Sequence, residues 1–168
     1  MSVEWGAILR AVLSPVLRWL PGWALRRRYP VRKCQEYLTV EAHGVGPHIY
    51  VNPGRPPVIM GLNLSLMSGL PFAVKVESVH LEMSVESCAL TNHDHFVRES
   101  VPGGGVRQIR INDIHLSDGQ ADIVRGYPSE CPILRVTGHA ACESSVGEFK
   151  KNLVFETRAF IYRGGDDR

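Results

Sequence analysis

His93-Asp94-His95 is the local sequence with the clearest capacity for chemistry. Two histidines two apart lie on one face of a strand and can share a divalent metal, with Cys88 or another histidine completing the shell. The same three residues also describe a solvated loop. The seven histidines, at 43, 48, 80, 93, 95, 115 and 139, are scattered over the chain, with His80 and His115 on polar strand faces. The four cysteines, Cys34, Cys88, Cys131 and Cys142, form no C-x-x-C pair and match no zinc module. They read as ordinary thiols, with one or two disulfides open to them in an oxidising compartment. No G-x-S-x-G elbow is present. Gly103-Gly104-Gly105 lacks the Lys-Ser/Thr of a phosphate loop, and Asp113 and Asp118 do not match a calcium-binding loop. The expectation is a non-enzymatic protein with no catalytic residue, metal or cofactor. A metal-dependent enzyme built on His93 and His95 is an alternative.

The elements that would position these residues are mostly strands. Residues 58–86 read as two strands joined at Ser68-Gly69-Leu70-Pro71. Ile59, Leu62, Leu64 and Leu66 face one way in the first, Asn63 and Ser65 the other. In the second, Phe72, Val74 and Val76 alternate with polar neighbours, and the phase then slips by one to Val79, Leu81, Met83 and Val85. Period-two alternation marks a strand with one buried face, and the slip predicts a β-bulge or a break at Glu77-Ser78. An unbroken strand over residues 72–85 would run about 45 Å.

Further strands are expected over residues 36–41 and 48–51, and over 106–116 with a slip between Ile111 and Ile114. The last is a hairpin of Leu134, Val136, Ala140 and Cys142 against Phe149, Leu153, Phe155, Ala159 and Ile161. Val154, Phe160 and Tyr162 lie on the opposite side of its second strand, predicting cover on both sides of the C-terminal end. Residues 88–99 are polar and read as a connection or edge. Ser117 or Asp118 caps a short helix over residues 120–125, which Gly126-Tyr127-Pro128 stops. About seven strands, mostly antiparallel, define an all-β immunoglobulin/fibronectin-like sandwich over residues 34–163, followed by a charged tail, residues 164–168.

The N-terminal segment is different. Trp5, Ile8, Leu9, Val12, Leu13, Val16, Leu17 and Leu20 follow the spacing of one helical face, opposite Arg10, Ser14 and Arg18. Pro15 predicts a kink, and Pro21-Gly22 an end or bend. Trp19 and Trp23 flank that break, and Arg26, Arg27 and Arg28 follow. Residues 1–33 carry seven basic side chains against Glu4, a charge of +6. The net charge of +2 therefore leaves −4 on the remaining 135 residues. Residues 1–33 read as an amphipathic helix and a basic linker, the linker being residues 29–33.

A secretory signal does not fit Glu4 and two interrupting arginines. A membrane span needs about 20 apolar residues, and a central arginine costs about 3 kcal/mol. An interfacial helix fits best, with tryptophans at headgroup depth and arginines meeting anionic lipid. The expected membrane-contacting residues are the eight on the apolar face together with Trp19, Trp23, Arg26, Arg27 and Arg28. They imply a protein peripheral to a membrane, on its cytoplasmic side. The alternative is a helix that docks into a protein partner as part of a larger assembly. An arginine-rich mitochondrial transit segment shares this composition. Arg107, Arg110, Arg125 and Arg135 can form a basic stripe, but the acidic body and the lack of a stacking motif make nucleic acid an unexpected partner.

Residues 62–85 also resemble the central signature of the late-embryogenesis-abundant WHy family (LEA type 2). There a strand meets an Asn-Pro-like turn, then Pro-Phe, then alternating valines. The matching residues here are Leu62, Leu64, Pro71, Phe72, Val74, Val76 and Val79. Ser68-Gly69-Leu70 replaces the family's polar turn, and the Asn-Pro-Asn wording is absent. The resemblance implies a seven-stranded fibronectin-like sandwich with a short helix, often membrane-tethered and not enzymatic. It also implies stress protection and lipid-facing roles.

Overall fold

The computed structural model describes residues 22–86 and 88–164. Two short helices come first, α1 (Gly22–Arg28) and α2 (Val31–Tyr37). The strands are β1 (Leu38–Ala42), β2 (His48–Tyr50), β3 (Val58–Met60), β4 (Leu62–Ser68), β5 (Val74–Val85), β6 (Cys88–Val101), β7 (Val106–Ile111), β8 (Ile114–His115), β9 (Ile133–Ser144), β10 (Gly147–Arg158) and β11 (Phe160–Tyr162). A third helix, α3 (Asp118–Arg125), lies between β8 and β9.

One layer is the antiparallel sheet β10-β9-β5-β6. The other is a bent sheet in two halves, β1-β4-β7 and β11-β2-β3-β8. The halves are continuous in register. Leu38 to Ala42 pair with Ser68 to Leu64, and His48 to Tyr50 then pair with Met60 to Val58. The bend falls at Gly61, whose φ of +73° is natural only for glycine. It turns the side-chain phase, so Ile59 and Leu62 are both buried although three apart. Asp113, also left-handed, makes the matching turn between Ile111 and Ile114. The eleven segments are thus an all-β sandwich of seven chain crossings, four of them interrupted. Pairing is antiparallel except that β11 leaves the path of β10 and joins β2 in parallel.

β5 is the spine. It is one strand, and its pairings with β6 and with β9 both shift between Val76 and Ser78, so the phase slip is a bulge that sets Glu77 outside both ladders. Val74, Val76, Val79, Leu81, Met83 and Val85 are all buried. They meet Leu38, Leu62, Leu64, Leu66, Ile109 and Ile111 of the facing layer in a single core. Each such aliphatic side chain contributes about 1.5–3 kcal/mol on burial.

Short helices close the open sides of the sandwich. In α3 the Ser117 hydroxyl accepts from the Gln120 N–H while the Gln120 side chain accepts from the Ser117 N–H. This reciprocal cap satisfies two otherwise free donors and fixes the start of the helix. Ala121 and Val124 then point inward. α2 packs on β10 and β1, with Cys34 fully buried. Two reciprocal bonds clamp it: the Gln35 side-chain amide donates to the Lys150 carbonyl at 2.9 Å, and Lys151 Nζ donates to the Gln35 carbonyl at 2.7 Å.

Two expectations differ from these observations. Residues 29–33 are not a linker: Tyr29 and Pro30 turn the corner, and α2 runs through the boundary placed at residue 33. Cys34 is the one buried residue of α2, so the sequence offers no apolar period there. Residues 88–99, read as a connection or edge, are an edge: they belong to the fourteen-residue strand β6 at the margin of its sheet. The C-terminal hairpin is covered on one side only, since Val154 is 75% exposed and Tyr162 45%.

Candidate functional site

The expected membrane-contacting residues divide at residue 22. Trp5, Ile8, Leu9, Val12, Leu13, Val16, Leu17, Trp19 and Leu20 lie outside the described residues, as does the Pro15 kink. Trp23, Arg26, Arg27 and Arg28 are described, and all four are exposed on α1, Trp23 at 70%. Leu25 of the same helix is buried. The Tyr29 N–H closes the helix on the Leu25 carbonyl at 2.7 Å. The Tyr29 ring meets Phe72 edge-on at 5.5 Å. One face of α1 therefore turns Leu25 into the core, with Tyr29 just beyond the helix on the β4–β5 turn, and the other presents an indole and three guanidinium groups. Trp23, Ala24, Arg27 and Arg28 line a shallow depression of about 340 Å³. The three arginines occupy the last turn, where cations complement the negative end of the helix dipole. No helix among the described residues is long and apolar enough to cross a membrane.

The histidines gather more than their spacing suggested. Register places His139 of β9, His80 of β5 and Asp94 of β6 in one row on the outer face of the four-stranded sheet. His80 donates from Nδ1 to Asp94 at 2.7 Å, and its Nε2 stands 3.7 Å from Glu82. The His80 and His139 rings are 5.3 Å apart. Among the described residues no serine, threonine or cysteine hydrogen-bonds His80. His93 and His95 share the other face of β6, half-buried, with near-parallel rings 6.1 Å apart. Burial depresses the His93 pKa, and the His95 and His115 charges depress it further against the opposing pull of Asp94. His93 Nε2 is buried without a partner. No group of three or more His, Cys, Asp or Glu side chains among the described residues is placed to hold a metal ion. Among the described residues no third ligand joins His93 and His95.

The sequence reading missed an aromatic cluster. His48, Tyr50, Phe160 and Tyr162 lie together on the outer face of β2 and β11, with Tyr50 stacked on Tyr162 at 5.1 Å. The sequence signal was the opposite parity of Phe160 and Tyr162 to Ile161. The parallel pairing that brings them to β2 left no local trace. All four cysteines are free thiols, Cys34 and Cys142 buried and Cys88 and Cys131 exposed.

No family model and no curated protein matches the chain. Solved structures are similar in shape alone. A Northeast Structural Genomics Consortium target matches at a TM-score of 0.44 and 11% identity, over 72% of this chain and 81% of that one. A protein from Archaeoglobus fulgidus matches at 0.46 and 8% identity, over 76% and 95%. The Pseudomonas fluorescens alkylpurine DNA glycosylase AlkC, bound to DNA containing an abasic site analog, matches at 0.31 and 13% identity. That match spans 71% of this chain but 30% of the glycosylase.

Proposed function

We propose that this chain is a non-enzymatic β-sandwich module that binds the surface of an anionic membrane through its basic, tryptophan-bearing N-terminal face. The observation that carries this reading is the division of α1, with Leu25 and the adjoining Tyr29 packed on the sandwich while Trp23, Arg26, Arg27 and Arg28 face outward. An indole among cations suits the headgroup layer, where its apolar body and polar N–H are both accommodated. Anionic lipid concentrates on cytoplasmic leaflets, which favours a peripheral location there. The sandwich then acts as the scaffold, and the stress-protective role implied by the family resemblance belongs to this reading.

Vesicle co-sedimentation of the full chain tests it. Binding to phosphatidylcholine vesicles containing phosphatidylserine should fall by roughly 100-fold in R26A/R27A/R28A, at about 1 kcal/mol per cation. Trp23→Ala should weaken binding to both anionic and neutral vesicles. Equal sedimentation of all three proteins would refute the reading. Docking into a protein partner is favoured by the half-exposed aromatic cluster of β2 and β11. Detergent-free size exclusion with co-purification distinguishes it.

A further inference from the structure

We infer that the cleft between α2 and β10 is a second lipid contact, a subsite for the phosphate of an anionic lipid headgroup. It rests on the membrane-surface reading for the source of its ligand. The cleft holds about 330 Å³ and is lined by Arg32, Gln35, Glu36, Lys150, Lys151 and Asn152. Three cations against one carboxylate give it a net positive charge, on a body that is otherwise net acidic. The charge has a structural origin. α2 starts three residues after α1 ends, so the basic run of α1 continues through Arg32 and Lys33 onto the flank of the sandwich. The two clamp bonds to the Lys150 and Gln35 carbonyls hold that flank against β10.

Within the cleft the cations have different tasks. Lys151 gives one of its three N–H donors to the Gln35 carbonyl, which holds its ammonium at the edge of the cleft as a fixed charge. Arg32 shares Glu36 through one exposed contact at 3.2 Å, and an exposed pair of this kind is readily exchanged. Lys150 is exposed and makes no ion pair among the described residues. Asn152, two residues along the same face of β10, adds a neutral donor. A guanidinium, an ammonium and an amide facing a small open cleft are the donor set that a phosphate takes. The clamp fixes the backbone that carries these groups, so ordering on binding falls on the Arg32 and Lys150 side chains.

The test compares the full chain with R32A/K150A, which leaves α1 and the clamp groups Gln35 and Lys151 intact. R55A/R110A, an equal charge change at the β2–β3 turn and on β7 beside the Gly61 bend, is the control. Partitioning onto phosphatidylserine-containing vesicles should fall by roughly 25-fold in R32A/K150A, at about tenfold per 1.4 kcal/mol and one cation's worth each. It should change less than threefold in the control. Equal losses in the two variants would leave only bulk charge and overturn the subsite. Titration with inorganic phosphate separates the sources. Phosphate binding lost in R32A/K150A with vesicle partitioning unchanged overturns the lipid assignment. Unaltered vesicle binding in R32A/K150A, alongside a large loss in R26A/R27A/R28A, overturns this inference and leaves the membrane reading standing.

Discussion

Gly138→Ala tests whether the spine of the sandwich is as closely packed as its geometry requires. Gly138 sits in mid-strand in β9, opposite Leu81 of β5 on one side and Leu153 of β10 on the other. Its φ is +141°, a region that side chains rarely adopt. A methyl added there would land on the His80 carbonyl oxygen, 3.0 Å from its carbon and 3.3 Å from Leu81 Cα. Those are backbone atoms of the central strand and no rotamer can move them. The strained backbone costs about 1–3 kcal/mol. Forcing β9 off β5 leaves one or two buried ladder groups unpaired, at about 1–3 kcal/mol each. A total near 4 kcal/mol is a large share of the roughly 5–15 kcal/mol that holds a domain folded. With a urea dependence of about 2 kcal/mol per molar, the unfolding midpoint should drop by about 2 M. A drop below about 0.5 M, with amide exchange at Leu81 and Glu82 as slow as in the parent, would show that the two strands separate at little cost and refute the close approach.

Two further outcomes follow from the buried titratable groups. His93 is held below its ordinary pKa, first by burial and then by the His95 charge. The unfolded chain therefore takes the proton more readily. The stability from neutral His93 is present above about pH 6.5 and is lost as pH falls through the folded value. His93→Gln should flatten the fall of the urea midpoint on acidification, and an unchanged slope would place the proton elsewhere. Burial pushes the Cys142 thiol up to about 12 and raises that of Cys34. Brief alkylation of the native protein at neutral pH should modify Cys88 and Cys131 alone, read by peptide mass spectrometry. Fast labelling of Cys142 would mean that β9 and β10 open.

The sequence showed those parts of the fold whose cause is local. The bulge at Glu77 was visible because a one-residue slip moves a whole apolar set to the other face, and β5 is buried along its length. The α3 cap was visible only as a choice between Ser117 and Asp118, because either side chain can accept the first free N–H groups; the return bond from the Ser117 N–H to the Gln120 side chain makes it Ser117. β6 was obscured because an edge strand packs on one side only. Its inward positions therefore include Thr91, His93 and His95 rather than aliphatic residues. The row of His139, His80 and Asp94 needed the register of three strands, and the aromatic cluster needed the parallel return of β11. Neither has a local signature. Of the candidate membrane contact, residue types and order were legible at Trp23 and Arg26 to Arg28. Which side of α1 faces outward was not, because it depends on Leu25 reaching the core and on Tyr29 meeting Phe72 from a distant turn. The cleft beside α2 was illegible because it pairs Arg32 with Lys150 across more than a hundred residues.

The clamp between α2 and β10 also sets a load path. Tension applied to the chain ahead of α1 would reach β1 by way of α2. Among the described residues β1 pairs as a strand with β4 alone, from Leu38–Ser68 to Ala42–Leu64. A strand held by one neighbour is readily peeled from its first residue. The Gln35 and Lys151 bonds intercept that pull one helix earlier and pass part of it to β10, which is paired with β9 along twelve residues. Both layers then share the strain, and the pairs of β9 and β10 resist it together in shear.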